Sequence, residues 1–306
     1  MPTRRDAVTG AFGFTGRALA EALVARGREV VTLSRRSGGT DPLAARITVE
    51  PLDFGQPDRL AAALDGVDTL FNTYWMRFPR AGRTFDDAIA ESAVLFEAAR
   101  RAGVRRLVHV SVVNADPAGP TPYVRGKGRL EALVSAGGLP WSIIRPTLTY
   151  GSGDILINNL AWALRRLPVY GLPGDGRYPI QPVHVEDVAR ICVEAAGGPS
   201  GSTVDAAGPE TFEYRDLVGL VRRAVGSRSI VLPMPTTAVL AAARVLGAVV
   251  RDVVLTRDEV LELSSGFLTS AAPPHGRIRL SEWLPDHASS LGRRWASELA
   301  RNYRLG

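Results

Sequence analysis

The most constraining stretch of this chain lies in its first twenty residues, where Ala7-Val8-Thr9 runs into Gly10-Ala11-Phe12-Gly13-Phe14-Thr15-Gly16 and then Arg17-Ala18-Leu19-Ala20. A short apolar run, a glycine turn, and then Ala18, Leu19, Ala22, Leu23 and Val24 at helical spacing make a strand–turn–helix unit. Each glycine has its own mechanical task. Gly10 permits the tight turn, Gly13 lets backbone approach a diphosphate, and Gly16 lets helix and strand pack closely. Phe12, Phe14 and Thr15 share that turn and are expected to touch the same ligand. Free N–H groups at the helix start, aided by the helix dipole, suit its phosphates. The spacing is G-x-x-G-x-x-G rather than G-x-G-x-x-G, so the flanking strand and helix carry the assignment.

Strand and helix patterns then alternate. A buried strand over residues 29–33 ends in Ser34-Arg35-Arg36. An NAD-binding unit places an acid here, on the ribose 2′-hydroxyl. Arg35 and Arg36 suit a 2′-phosphate instead, which favours NADP over NAD; the alternative is a solvated basic loop. A third strand, 47–52, delivers Asp53 to accept from the adenine amino group and Phe54 to line the base. Alternatively Asp53 only begins the turn into a helix over 57–64. A fourth strand, 68–75, carries Asn72, Thr73 and Tyr74 at its carboxyl end, where open α/β sheets bind ligands. Residues 72–76 are therefore expected along the cofactor. A helix over 84–101 leads to a fifth strand, 106–112, containing Ser111. A sixth, 141–145, ends at Pro146-Thr147, expected near the nicotinamide, and 202–206 returns to the sheet. The fold expected is α/β, a doubly wound parallel sheet of Rossmann type.

Of the 37 basic residues, 36 are arginine, and the single lysine is Lys127. A position that stays lysine in so arginine-rich a chain points to chemistry that a guanidinium cannot imitate. Lys127 follows Tyr123 by four, so both side chains lie on one helix face. A nearby ammonium favours phenolate and lowers a tyrosine pKa from its reference of about 10. Tyr123 is thus the candidate general acid or base, and Lys127 the candidate bond to the nicotinamide ribose.

After Tyr150 the alternation stops. Residues 151–179 hold one helix, 155–167, and a turn-rich stretch, an insertion expected to roof a substrate cleft. From 208 the pattern is helical, with helices expected over 214–225, 238–250, 256–263 and 281–303 and a short strand over 229–232. The domains expected are 1–150, a cofactor-binding domain whose sheet is completed by about 180–207, and a mainly helical substrate lobe of 151–179 with 208–306. That lobe would take a small-molecule substrate and offer a possible homodimer contact.

The net charge of +6 does not make a nucleic-acid binder, because the arginines are scattered. Pairs such as Arg165-Arg166 and Arg222-Arg223 fall at helix ends, where cations favour the dipole, and no zinc-finger or basic-helix pattern is present. No metal site is expected. The run 238–255 is interrupted by Arg244, Arg251 and Asp252 and falls short of the about 20 apolar residues of a spanning helix. A packed or interface helix is expected there. Residues 1–6 leave no room for a signal peptide before the first strand, so the cytoplasm is the expected compartment. Lone Cys192 reads as a buried, inert thiol, and His184 as a structural histidine joining strand to helix.

Together, the segment from Thr9 to Gly16, Tyr123 to Lys127, Arg145-Pro146-Thr147 and Val183 to Val188 resemble the extended and atypical short-chain dehydrogenases/reductases. The nearest likeness is to the NAD(P)-binding epimerase/dehydratase-like branch that includes the nucleotide-binding accessory subunit of respiratory complex I and NmrA-like proteins. It covers residues 6–206 and is loose beyond. The resemblance implies Tyr123 as acid/base, Lys127 as its partner, and Gly10, Gly13 and Gly16 as the diphosphate site. One departure stands out: active relatives place a Ser or Thr just past the fifth strand, whereas here Ser111 comes early and Val112, Val113 and Asn114 follow. Asn114 is then the substitute donor. Two functions are expected from these residues: an NADP(H)-dependent oxidoreductase or epimerase-like enzyme, or a non-catalytic NADP(H) sensor or assembly protein.

Overall fold

The computed structural model describes residues 4–303. Its first part alternates strand and helix: β1 (Arg5–Thr9), α1 (Phe14–Ala25), β2 (Glu29–Ser34), β3 (Thr48–Pro51), α2 (Pro57–Ala63), β4 (Val67–Asn72), α3 (Phe85–Arg101), β5 (Arg106–Val110), α4 (Pro122–Ala136) and β6 (Trp141–Pro146). There follow β7 (Leu148–Tyr150), α5 (Leu156–Arg166), β8 (Val169–Pro173), β9 (Pro179–Ile180) and β10 (Pro182–His184). The chain then adds α6 (Val185–Ala196) and β11 (Ser202–Ala206). It ends through β12 (Phe212–Glu213), α7 (Tyr214–Ala224), β13 (Ile230–Met234), α8 (Thr236–Val250), α9 (Arg257–Ser264) and α10 (Leu280–His287).

Seven strands form one sheet in the order β11-β6-β5-β4-β1-β2-β3, every pair parallel. Strands buried on both faces read as near-continuous apolar runs, as Ala7, Val8, Val31, Leu33, Leu70, Phe71, Leu107 and Val108 demonstrate at 0–1% exposure. Helices α2, α3 and α4 cover one face, where Leu60, Leu95, Phe96 and Leu130 join Ala7, Leu33, Leu70 and Leu107 in one core. Helices α1 and α6 pack together away from that core. This is the doubly wound arrangement expected from the sequence, and its order reverses between β1 and β4. Ligands bind beyond the carboxyl ends of strands at such a switch point.

Two compact units emerge. One holds the described residues up to Pro146 together with Val185–Ala206; the other holds Thr147–His184 and the described residues from Ala207. In the second, three small two-stranded sheets pair β7 with β10, β8 with β13 and β9 with β12. They surround a core of Tyr150, Ile157, Leu164, Leu217, Val221 and Leu284. His184 ends β10 with its ring 5.1 Å from Tyr150 and 5.8 Å from Trp283. Cys192 is wholly buried, and burial pushes its thiol up to about 12.

Two elements depart from expectation. The fourth strand leaves the ladder at Asn72 rather than at 75, because Thr73 turns its side chain onto β1. The long helix expected over 281–303 is instead α10, eight residues with Pro285 inside it, and a short π-helical turn, Leu299–Tyr303. Between them, carbonyls of Ala288, Leu291, Gly292 and Arg293 accept from Arg165 and Arg166 of α5 rather than from helical amides. Apolar periodicity cannot see such side-chain donors.

Candidate active site

The glycine turn sits at the switch point and is built mainly from backbone. Gly10 has φ +67°, a left-handed conformation without steric cost only for glycine. Its N–H donates to the Leu33 carbonyl at 2.9 Å, and the Gly13 N–H closes the turn onto the Gly10 carbonyl at 2.8 Å. A β-carbon at Gly16 would stand 2.3 Å from the Gly10 oxygen, well inside van der Waals contact. Helix and strand can therefore approach this closely only without a side chain there. Gly13 is the N-cap of α1 and supplies no capping side chain. The first-turn donors are left to backbone or ligand. These features fit a dinucleotide diphosphate.

Thr9 and Thr73 lock the floor of the turn. Thr73 Oγ1 donates to the Thr9 carbonyl at 2.6 Å, and the Thr73 N–H donates to Thr9 Oγ1 at 2.7 Å. Asn72 is wholly enclosed, its Oδ1 accepting from Thr9 Oγ1 and the Tyr74 N–H and its amide meeting His109 Nδ1 at 3.1 Å. Asn72, expected along the cofactor, thus presents no polar atom outward. It joins β1, β4 and β5 from within.

At the end of β2 the two arginines divide. Arg36 donates to the Phe12 carbonyl at 3.0 Å, tying the loop to the turn. Arg35 is exposed and lies 5.7 Å above the Tyr74 ring, which itself packs 5.0 Å from Phe54. Tyr74 bonds Glu91 and Arg83, and burial raises its phenol pKa. Asp53 accepts from the Gly55 N–H at 2.9 Å and is exposed, so its carboxylate shapes the turn before α2.

Tyr123 and Lys127 occupy the first two turns of α4, which is capped by Thr121 accepting from the Val124 N–H, with Pro122 at its first position. Trp75 brings the pair together. Its ring stacks on Phe85 at 5.5 Å, meets Tyr123 edge-on at 6.3 Å, and receives the Lys127 ammonium at 4.9 Å. Lys127 is 3% exposed and donates to the Val110 carbonyl at 3.1 Å. Burial lowers its pKa to about 7, against the opposing pull of Glu131. Glu131, one turn on, is held bidentately by Arg145 of β6. Burial, with Lys127 adding to it, holds His109 neutral far below the ordinary histidine range.

Ser111 follows Val110 directly. Its hydroxyl is buried and, among the described residues, has no hydrogen-bond partner; the indole N–H of Trp75 and the hydroxyl of Thr147 share that condition. Pro146 ends β6, buried. Asn114 is exposed and left-handed at φ +56°. His109 and Glu131 were not singled out from the sequence, and Trp75 entered only within the run 72–76 expected along the cofactor. A histidine inside the apolar strand Leu-Val-His-Val was the one available signal.

Sequence comparison matches residues 10–199 to a family described as NAD(P)H-binding. The chain is 28% identical over 252 residues to subunit 9 of the NADH dehydrogenase [ubiquinone] 1 alpha subcomplex, mitochondrial, of Arabidopsis thaliana. That match takes in 78% of this chain and 62% of the plant protein's length. It is also 28% identical over 264 residues, 78% of each chain, to the 4-hydroxy-2-methyl-3-oxo-4-farnesyl-3,4-dihydroquinoline-1-oxide ketoreductase of Stigmatella aurantiaca. Among solved structures, an NADPH-dependent quinone oxidoreductase of Escherichia coli, complexed with NADPH, shares the fold. Its TM-score is 0.74 at 21% identity, over 92% of this chain and 98% of that one.

Proposed function

The chain belongs to the NAD(P)H-binding family, and from that premise we propose that it is an NADP(H)-dependent oxidoreductase of the atypical short-chain dehydrogenase/reductase type, acting on a small carbonyl or carbinol. The observation that carries the reading is the join made by Trp75 between the Tyr123 ring and the Lys127 ammonium on α4. The first turn of α1 would hold the diphosphate through its backbone N–H groups, with Gly10, Gly13 and Gly16 keeping side chains out of the way. Arg35, exposed at the end of β2, would meet the ribose 2′-phosphate. Bound NADP(H) would supply or accept a hydride at the nicotinamide C4.

Tyr123 would give a proton to, or take one from, the substrate oxygen at its phenol Oη. Lys127 would supply the neighbouring charge. Its nitrogen is fixed by the Val110 carbonyl and the Trp75 face, and its pKa near 7 allows both protonation states at neutral pH. A mobile surface lysine would offer neither. The buried Ser111 hydroxyl, adjacent in sequence to Val110, is the better candidate than exposed Asn114 for orienting the substrate oxygen. Substrate recognition would fall to the second unit, whose core is independent of the cofactor sheet.

The test is NADPH oxidation against a panel of carbonyls and quinones. A responsive substrate should lose about 100-fold or more in kcat with Tyr123→Phe, with NADPH affinity held. Turnover unchanged by that substitution would overturn the mechanism. A second reading, a non-catalytic NADP(H)-binding subunit, is favoured by the enclosure of Ser111 and Lys127 and by the likeness to the plant respiratory subunit. Tight cofactor binding with no turnover across the panel would select it.

A further inference from the structure

Helix α8 is apolar on every side, yet only one side is covered. Val239, Ala243 and Gly247 are buried, while the opposite arc of Ala241, Ala242, Val245, Ala248 and Val249 faces out. Val245 is 69% and Val249 74% exposed. In the strand that leads into this helix, β13, Ile230 is 58% and Leu232 45% exposed. A helix hydrophobic all round is normally enclosed, and contiguous exposed apolar surface marks an interaction site.

Charge identifies what covers it. Between Asp216 and Asp252 the sequence holds five arginines and no acid. Arg228, Arg244 and Arg251 are exposed and, among the described residues, form no ion pair. Arg244 lies one helical step from Val245 at the edge of the apolar arc, and Arg251 is the helix C-cap. The acid that closes the stretch points inward. Asp252 is 8% exposed, and its carboxylate accepts from the N–H groups of Val253, Glu298 and Leu299 and from the Trp295 indole.

A second copy docked on this face would bring together two segments that each carry arginines and no acid, and like charges so placed disfavour association. The arc also lacks the aromatic anchors on which protein interfaces depend. An aliphatic face on a segment that carries five arginines and no acid matches the boundary between headgroups and acyl chains of an anionic bilayer. We propose that α8, with the arginines beside it, is a peripheral docking surface for anionic phospholipid. No helix among the described residues is long and apolar enough to cross a membrane, so the contact lies along the surface.

The test is flotation of the full chain with vesicles of phosphatidylcholine alone and of phosphatidylcholine mixed with phosphatidylglycerol. The chain should float with the anionic vesicles only and detach as salt rises. Arg244→Ala and Arg251→Ala should each lower the partition about fivefold. Val245→Glu with Val249→Glu should abolish it while leaving thermal unfolding unchanged, since both positions are exposed. Failure of the wild-type chain to float with anionic vesicles would overturn the proposal. So would flotation unchanged when Arg244→Ala and Arg251→Ala are combined, or a solution mass of two chains that Val249→Glu returns to one.

Discussion

The glycine turn and the Tyr123–Lys127 face of α4 both belong to the candidate active site, but they are made of different material. The turn works through backbone, with a left-handed Gly10, an uncapped helix start, and a contact at Gly16 that only a hydrogen atom tolerates. The α4 face works through side chains whose properties come from distant segments. Trp75 follows β4, Val110 ends β5, and Glu131 is fixed by Arg145 of β6. A backbone device carries its meaning in local spacing. A side-chain device acquires its meaning only when the sheet assembles around it.

The sharpest way to break that contrast is Gly16→Ala. The added carbon meets the turn backbone at 2.3 Å, so the change should abolish NADPH binding and cost about 1–3 kcal/mol of stability. Calorimetric titration and urea unfolding would measure both. Unaltered binding would mean the turn is not the cradle.

Lys127→Met should do the opposite, separating function from fold. Turnover should fall about 100-fold or more, while the unfolding midpoint holds or rises, because a buried amine is exchanged for an apolar side chain of similar volume. The pH dependence should change with it. Burial lowers the folded-state pKa of Lys127 to about 7 from an ordinary value of 10.5. Between those values the unfolded chain binds more protons, so stability should climb with pH by up to about 1.4 kcal/mol per unit. Below about 7 the group contributes no slope. Urea titrations from pH 6 to 10 should show the climb in wild type and its loss in Lys127→Met; parallel profiles would contradict the burial of the amine.

Smaller effects sharpen the cofactor side. Arg35→Ala should weaken NADPH about tenfold or more and leave NADH unchanged, the loss of one charge-assisted contact to a phosphate. Equal affinities for NADPH and NADH in wild type would remove the 2′-phosphate assignment. Smallest of all is Asp53→Ala. Its carboxylate is bound to the Gly55 N–H, so NADPH affinity should shift by no more than about twofold. A large loss would restore Asp53 as an adenine contact.

The legibility of the sequence followed the same division. Parallel strands buried on both faces declared themselves as apolar runs, and the glycine spacing gave the turn. Asn72 was legible as a polar group at a strand end, but its inward rotamer was not, because that depends on Thr9 and His109 from neighbouring strands. The role of Trp75, expected only as part of the run 72–76 along the cofactor, was hidden for a related reason. Read as the end of a strand, it becomes the shared wall of Tyr123 and Lys127 only when the chain leaves β4 at Asn72. Nor could periodicity expose the break after α10, where arginine side chains of α5 take over the hydrogen bonding of the backbone.

A crystal structure of the chain grown with NADPH tests the central claim most directly. The account predicts both phosphates against the backbone N–H groups at the start of α1, with the 2′-phosphate at Arg35. Cofactor bound elsewhere, or that turn closed by the protein's own side chains, would contradict it.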